Sequence, residues 1–180
     1  MSAPTFVVTP VGDSTRLGIA IEKRFQGIES PAKMKLGASG CPRNCAEATV
    51  KDLGAVAVEN GWQIYVGGAA GAHVRAGDML ATVRTHNEVL SLMGRFMQYY
   101  RENARYAERT YTFVARVGIA RLREILVDDS EGDGARLDRE MAATVAAYRD
   151  PWEEGAAPAE PNQFADVTPA SNTAFAAVTN

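Results

Sequence analysis

The chain has 180 residues, 46% of them hydrophobic and 23% charged, with a formal net charge of −3. That allows one domain with a core built without disulfides, plus a tail, and it argues against nucleic acid or an anionic membrane as partner. The start, MSAPTFVVTP, lacks the regions of a signal peptide, and no apolar run approaches the roughly 20 residues of a membrane span, so a cytoplasmic protein with reduced thiols is expected.

Residues 1–11 are short and apolar, without a strong pattern. From residue 12, Leu17, Ile21, Phe25 and Ile28 recur at helical spacing, with Asp13 or Ser14 as cap and Gly27 near the end. KMKLGAS (33–39) alternates and predicts a strand with Lys33 and Lys35 on one polar face. After the Gly40-Cys41-Pro42 corner, NCAEATVKDL (44–53) reads as a helix closed by Gly54, with Pro42 suited to its first turn. AVAVE (55–59) and WQIYVG (62–67) form a hairpin joined at Asn60-Gly61, and DMLATV (78–83) is a further strand.

Thr85-His86-Asn87-Glu88 has the form of a capping box and opens a helix with Val89, Leu92, Met93, Phe96, Tyr100 and Ala104 on one apolar stripe. Further helices are expected over 113–117, 122–127 and 134–148, the last presenting Leu137, Met141, Val145 and Tyr148 on one face. Residues 153–180, rich in Ala, Pro, Thr, Glu and Asn, predict an extended or disordered tail. The order implies an α+β fold: a small mixed sheet with packed helices.

Cys41 and Cys45 are the chain's two cysteines. On the helical reading they lie about one turn apart and reach one object, with a helix N-terminus, Lys33, Lys35 and Arg43 favouring thiolate. The plainer alternative is two idle thiols. A disulfide is disfavoured in the cytoplasm and across one helical turn, and structural zinc is disfavoured because His73 and His86 lack ligand spacing. Arg101, Arg105 and Arg109 recur every four residues as a basic stripe, which Glu102 and Glu108 dilute too far for nucleic acid.

SGCPRNCAEATVKDLG, followed by GWQIYVGGAAGAHVR, resembles the sirohaem-binding module of assimilatory nitrite and sulfite reductases, most of all the C-terminal part of the NAD(P)H-dependent nitrite reductase large subunit. GDSTRLGIAIEKRF, YYRENARYAERT and FVARVGIARLREIL fit the same family, and the resemblance spans roughly residues 11–155. It implies one half of a sirohaem core over 12–127, a helical extension over 128–152, and 1–11 as an unmatched segment. It further implies a 4Fe–4S cluster and a sirohaem joined through a shared sulfur. Cys41 would bind the cluster, and Cys45 both the cluster and the sirohaem iron. Electrons from NAD(P)H, arriving through flavin domains, would reduce nitrite to ammonia on the iron's far face.

The family's second cysteine pair, Cys-x5-Cys, has no match in MSAPTFVVTP, and the ferredoxin-like half is absent too. An N-terminally truncated module is therefore expected, whose missing half is lost or lies on another chain. The competing readings are a cofactor-free remnant or interaction module, and an assimilatory sulfite reductase fragment. Within the resemblance, Lys33 and Lys35 are anion-binding candidates against a solvated face. Arg43 and Asn44 offer donors to cluster sulfur or a carboxylate, Asn44 serving equally as a cap. Gly67, Gly68 and Gly71 allow backbone to pass close to a flat cofactor, or simply keep a loop flexible. Arg75 offers a bidentate carboxylate contact, with a surface arginine as the default.

Overall fold

The Asp13 carboxylate accepts the Arg16 N–H at 2.9 Å and caps α1, Ser14–Phe25, whose Leu17, Ile21 and Phe25 are buried as their spacing predicts. Burial of each such side chain stabilises by roughly 2 kcal/mol. The computed structural model describes residues 11–150, so the expected tail at 153–180 and residues 1–10 lie outside the described part. The unit described below ends at Tyr148.

β1 (Leu36–Ser39), β2 (Leu53–Val58) and β3 (Gly61–Val66) follow, then the two-residue strands β4 (Ala69–Ala70) and β5 (Val74–Arg75), then β6 (Asp78–Val83). The main sheet has the order β1-β2-β3-β6. β1 and β2 are parallel, and the other pairs are antiparallel, so the sheet is mixed as expected. β4 and β5 form a separate small hairpin. The helices α2 (His86–Asn103), α3 (Thr110–Val117), α4 (Ile119–Leu126) and α5 (Gly134–Ala147) complete the unit.

The capping box forms as its spelling predicts. Thr85 Oγ1 accepts the Glu88 N–H at 3.2 Å, and the Glu88 carboxylate accepts the Thr85 N–H at 2.8 Å. Behind it α2 buries Val89, Leu92, Met93, Phe96, Met97 and Tyr100, and α5 meets this helix through Leu137 and Met141. His86 lies at the start of α2, its ring edge-on to Trp62 with centroids 5.2 Å apart. Gly118, at φ +89°, breaks α3 from α4. From α4, Arg123 donates to the carbonyls of Leu80 (3.2 Å) and Met79 (2.5 Å), occupying an edge strand that would otherwise be open to pairing.

Four expectations are corrected. Residues 44–53 are not an α-helix: the span holds turns, a 3-10 turn at Ala48–Val50, and the first residue of β2. Asn44 and Glu47 both sit at φ +54°, a left-handed conformation that ends any α-helical path. Side chains also compete for the backbone there: Asn44 bonds Thr49 through Nδ2 to Oγ1 at 2.7 Å, and Ser39 Oγ accepts the Ala46 N–H at 3.3 Å. Next, the first strand starts only at Leu36, leaving Lys33 and Lys35 as exposed lead-in residues. The hairpin closes one residue early: Val58 pairs with Gly61, so Glu59-Asn60 is the loop and Gly61 takes φ +136°. A Cβ there would lie 2.1 Å from the Val83 carbonyl. Finally, α2 ends at Asn103, so Arg101, Arg105 and Arg109 share no helix face.

β2 is buried over Leu53–Ala57, on both faces. One face meets the core, and the loop 48–51 covers the other at backbone contact distance. A Cβ on Gly54 would lie 1.9 Å from the Ala48 carbonyl, and one on Gly68 would lie 2.4 Å from that of Lys51. Gly18, in the middle of α1, has open space instead. Opposite outcomes follow for one chemical change. Gly54→Ala should destabilise by roughly 3 kcal/mol through overpacking, whereas Gly18→Ala should stabilise by about 0.5–1 kcal/mol through helix propensity. Urea unfolding of the two variants beside the wild type checks both signs.

Candidate functional site

The parallel step from β1 to β2 is made by residues 40–52, and both cysteines ride on it. Its first turn closes with the Asn44 N–H on the Cys41 carbonyl at 3.0 Å, and its second with the Glu47 N–H on the Asn44 carbonyl at 2.8 Å. Cys41 is half-buried and Cys45 exposed; both are free thiols. They therefore sit on successive tight turns and not on one helix face, and no helix N-terminus underlies Cys41. Arg43 is exposed and puts positive charge on the turn itself, whereas Lys33 and Lys35 are exposed on the lead-in at the opposite end of β1, where the Lys35 N–H meets Asp52.

The far end of this crossover is locked. The Gly77 N–H donates to the Thr49 carbonyl at 2.7 Å, and the Gly68 N–H donates to that of Lys51 at 3.1 Å. Gly67, at φ +72°, and Gly68 are both buried behind the crossover, Gly67 against Val114. Gly71 stands in open space on the hairpin. Arg75 is half-buried and holds the hairpin base, donating to the Gly67 carbonyl at 2.8 Å and to Asp78 at 2.6 Å.

Sequence reasoning missed the residue on which the crossover ends. Asp52 is 2% exposed. Its carboxylate accepts the Lys35 N–H at 2.8 Å, both oxygens lie 3.2 Å from Arg109 Nη2, and the Thr110 hydroxyl donates to it as well. Tyr100, beneath this cluster, donates its hydroxyl to the Glu108 carbonyl. Burial, and next the Asp52 charge, push its pKa up to about 12. Glu108 faces Arg116 at 2.6 Å, and that bond, aided by the Arg105 N–H, brings its pKa down to about 2. Among the described residues no three His, Cys, Asp or Glu side chains converge on a metal-sized point, and no helix is long and apolar enough to cross a membrane.

The family model for the nitrite and sulphite reductase 4Fe-4S domain matches residues 3–132. The chain belongs to this family. Its reductase relatives include the nitrite reductase [NAD(P)H] of Bacillus subtilis, 46% identical over 142 residues, which are 79% of this chain and 17% of that protein. The nitrite reductase (NADH) large subunit of Escherichia coli is 40% identical over 146 residues, 80% of this chain and 17% of that one. The assimilatory-type sulfite reductase of Nitratidesulfovibrio vulgaris is 40% identical over 115 residues, 64% of this chain and 53% of that one. The chain thus spans about a sixth of the length of these nitrite reductases. The solved structure of Mycobacterium tuberculosis NirA matches 68% of this chain and 24% of its own at TM-score 0.58 and 20% identity, a likeness of fold. The α+β reductase half expected from the sequence is the fold observed.

Two predictions test the frame of the thiol turn in this reductase domain. Asp52→Asn keeps the shape but removes the charge on which three donors converge, and it should cost roughly 2–4 kcal/mol in urea unfolding. Glu108→Gln should cost roughly 1 kcal/mol at neutral pH, a solvent-screened charge-assisted bond. Because the folded pKa lies below the ordinary 4.5, the wild-type advantage is full above that value, shrinks as pH falls below it, and is gone near 2. Thermal melts of both proteins across that range check the sign.

Proposed function

We propose that this chain is the sirohaem- and cluster-binding portion of a nitrite reductase and supplies two of the cluster's four thiolates. The observation that carries the reading is the pair of free thiols on a backbone-locked turn that also bears Arg43, within a chain 46% identical over 142 residues to a nitrite reductase. Cys41 and Cys45 fit half of a four-thiolate set. The described residues do not close that set, so the remaining thiolates come from a Cys-x5-Cys segment elsewhere, with a ferredoxin-like domain beside it. When bound, the cluster and sirohaem supply the electrons and the iron for reduction of nitrite.

The chain's own residues then have distinct tasks. Cys41, half-buried, holds the cluster alone. Cys45, exposed, carries the sulfur shared with the sirohaem iron. Asn44 acts through the turn, because its amide is engaged with Thr49. Arg43 adds positive charge beside the thiolates, and Lys33 and Lys35 draw nitrite or another anion toward the site. Gly67 and Gly68 hold the crossover down from behind, which keeps the thiols at the surface where a flat cofactor reaches them.

The incomplete donor set also favours a second reading, a cofactor-free remnant or interaction module. The sulfite reductase relative keeps sulfite as the alternative substrate. One preparation separates the readings. The full chain is purified without oxygen from sirohaem-producing cells, together with a fragment carrying Cys-x5-Cys. Sirohaem bands with about four to five irons are expected, with the bands lost in Cys45→Ala. A folded, colourless, iron-free protein whose stability is unchanged by Cys45→Ala would establish the remnant instead. Nitrite and sulfite assays on the coloured protein then assign the substrate.

A further inference from the structure

A cavity of about 340 Å³ opens between the lead-in to β1, the β4–β5 hairpin and the start of α3. Lys35, Asp52, His73, Arg109 and Tyr111 line it, facing small apolar residues of the hairpin that include Ala69 and Ala70. Neither cysteine belongs to the lining.

The charges in this cavity do not cancel. Asp52 is the one carboxylate among its lining residues, and it is already met by the Lys35 N–H, the Thr110 hydroxyl and Arg109. Its charge is balanced by the Arg109 guanidinium, which leaves the Lys35 ammonium as the excess. Arg109 commits Nη2 to Asp52, while its side chain as a whole stays 37% exposed and lines the cavity. His73, ring edge-on to Tyr111 with centroids 6.1 Å apart, adds a further donor, as does the Tyr111 hydroxyl.

We propose that this cavity is an anion site for a carboxylate or other small oxyanion, held between Lys35 and Arg109 with His73 and Tyr111 as supporting donors. The alanine wall opposite the cations suits an anion carried on a flat apolar body better than a freely hydrated one. The site shares Lys35 with the functional reading above and needs neither cluster nor sirohaem, so each fails on its own readout.

The test is an amide NMR titration of the full, metal-free chain with benzoate and, separately, with nitrite, at constant ionic strength. Saturable shifts are expected at residues 35, 73, 109 and 111, weakened about five-fold in Lys35→Gln and unchanged in Lys23→Gln on α1. Benzoate binding tighter than nitrite supports the site with a larger ligand's carboxylate as occupant, and nitrite binding at least as tightly supports it with a free oxyanion. Shifts that never saturate, or an affinity identical in Lys35→Gln, would overturn the proposal.

Discussion

Asp52 is a carboxylate with only 2% of its surface exposed, and a buried charge persists only when it is paired and hydrogen-bonded. Its three partners come from two places: the Lys35 N–H before the first strand, and the Arg109 guanidinium and Thr110 hydroxyl at the start of α3. Satisfying one group therefore joins segments 17, 57 and 58 residues away from it in the chain. The next residue, Leu53, donates its N–H to the Lys35 carbonyl at 3.2 Å and sets the parallel register of β1 on β2. The crossover with both thiols is thus pinned where it lands, and the helical layer is pinned beside it.

A parallel connection ordinarily needs a dozen or more residues and places a helix on the sheet. Residues 40–52 make the step without one. The link is long enough for a short helix, but the left-handed backbone at Asn44 and Glu47 breaks any helical path through it. The crossover lies flat on the sheet instead, which requires positions without side chains underneath. Gly54 and Gly68 provide them, with carbonyls of the loop where a Cβ would stand. Because the loop cannot sink further, Cys45 remains exposed and Cys41 half-buried. Presentation of the thiols is a consequence of backbone contact and not of helix geometry.

Local signals were legible in the sequence, and non-local ones were not. α1 and α2 carry apolar stripes with spelled-out caps, and each is decided within a few residues of itself. The 44–53 segment carried a weaker helical pattern, and tertiary packing overrode it. Asn44 in the left-handed region suits its residue type, but nothing in a glutamate announces the same conformation at Glu47. Arg109 looked like one third of a basic stripe because its partner lies 57 residues away. Asp52 has no local signal at all, since every partner of its carboxylate lies at least 17 residues away. The thiol pair stood out through the family resemblance of its Cys-Pro-x-x-Cys turn and not through spacing alone, and its geometry belonged to the glycines beneath it.

A pair of thiols held this way would bind a group with an energetic advantage over a pair on a flexible loop. Ordering a loop on binding costs conformational entropy at each residue fixed, and that cost is subtracted from whatever the bound group contributes. In this chain the ordering is complete before any ligand arrives: Asn44 to Thr49, Ser39 to Ala46, Gly77 to Thr49 and Gly68 to Lys51 hold the crossover through bonds that involve neither sulfur. Removing a thiol should therefore leave the turn standing, whereas disturbing Asp52 or a glycine under the loop moves both thiols without touching them. The two classes of substitution separate chemistry from position: one removes a sulfur, the other moves the turn.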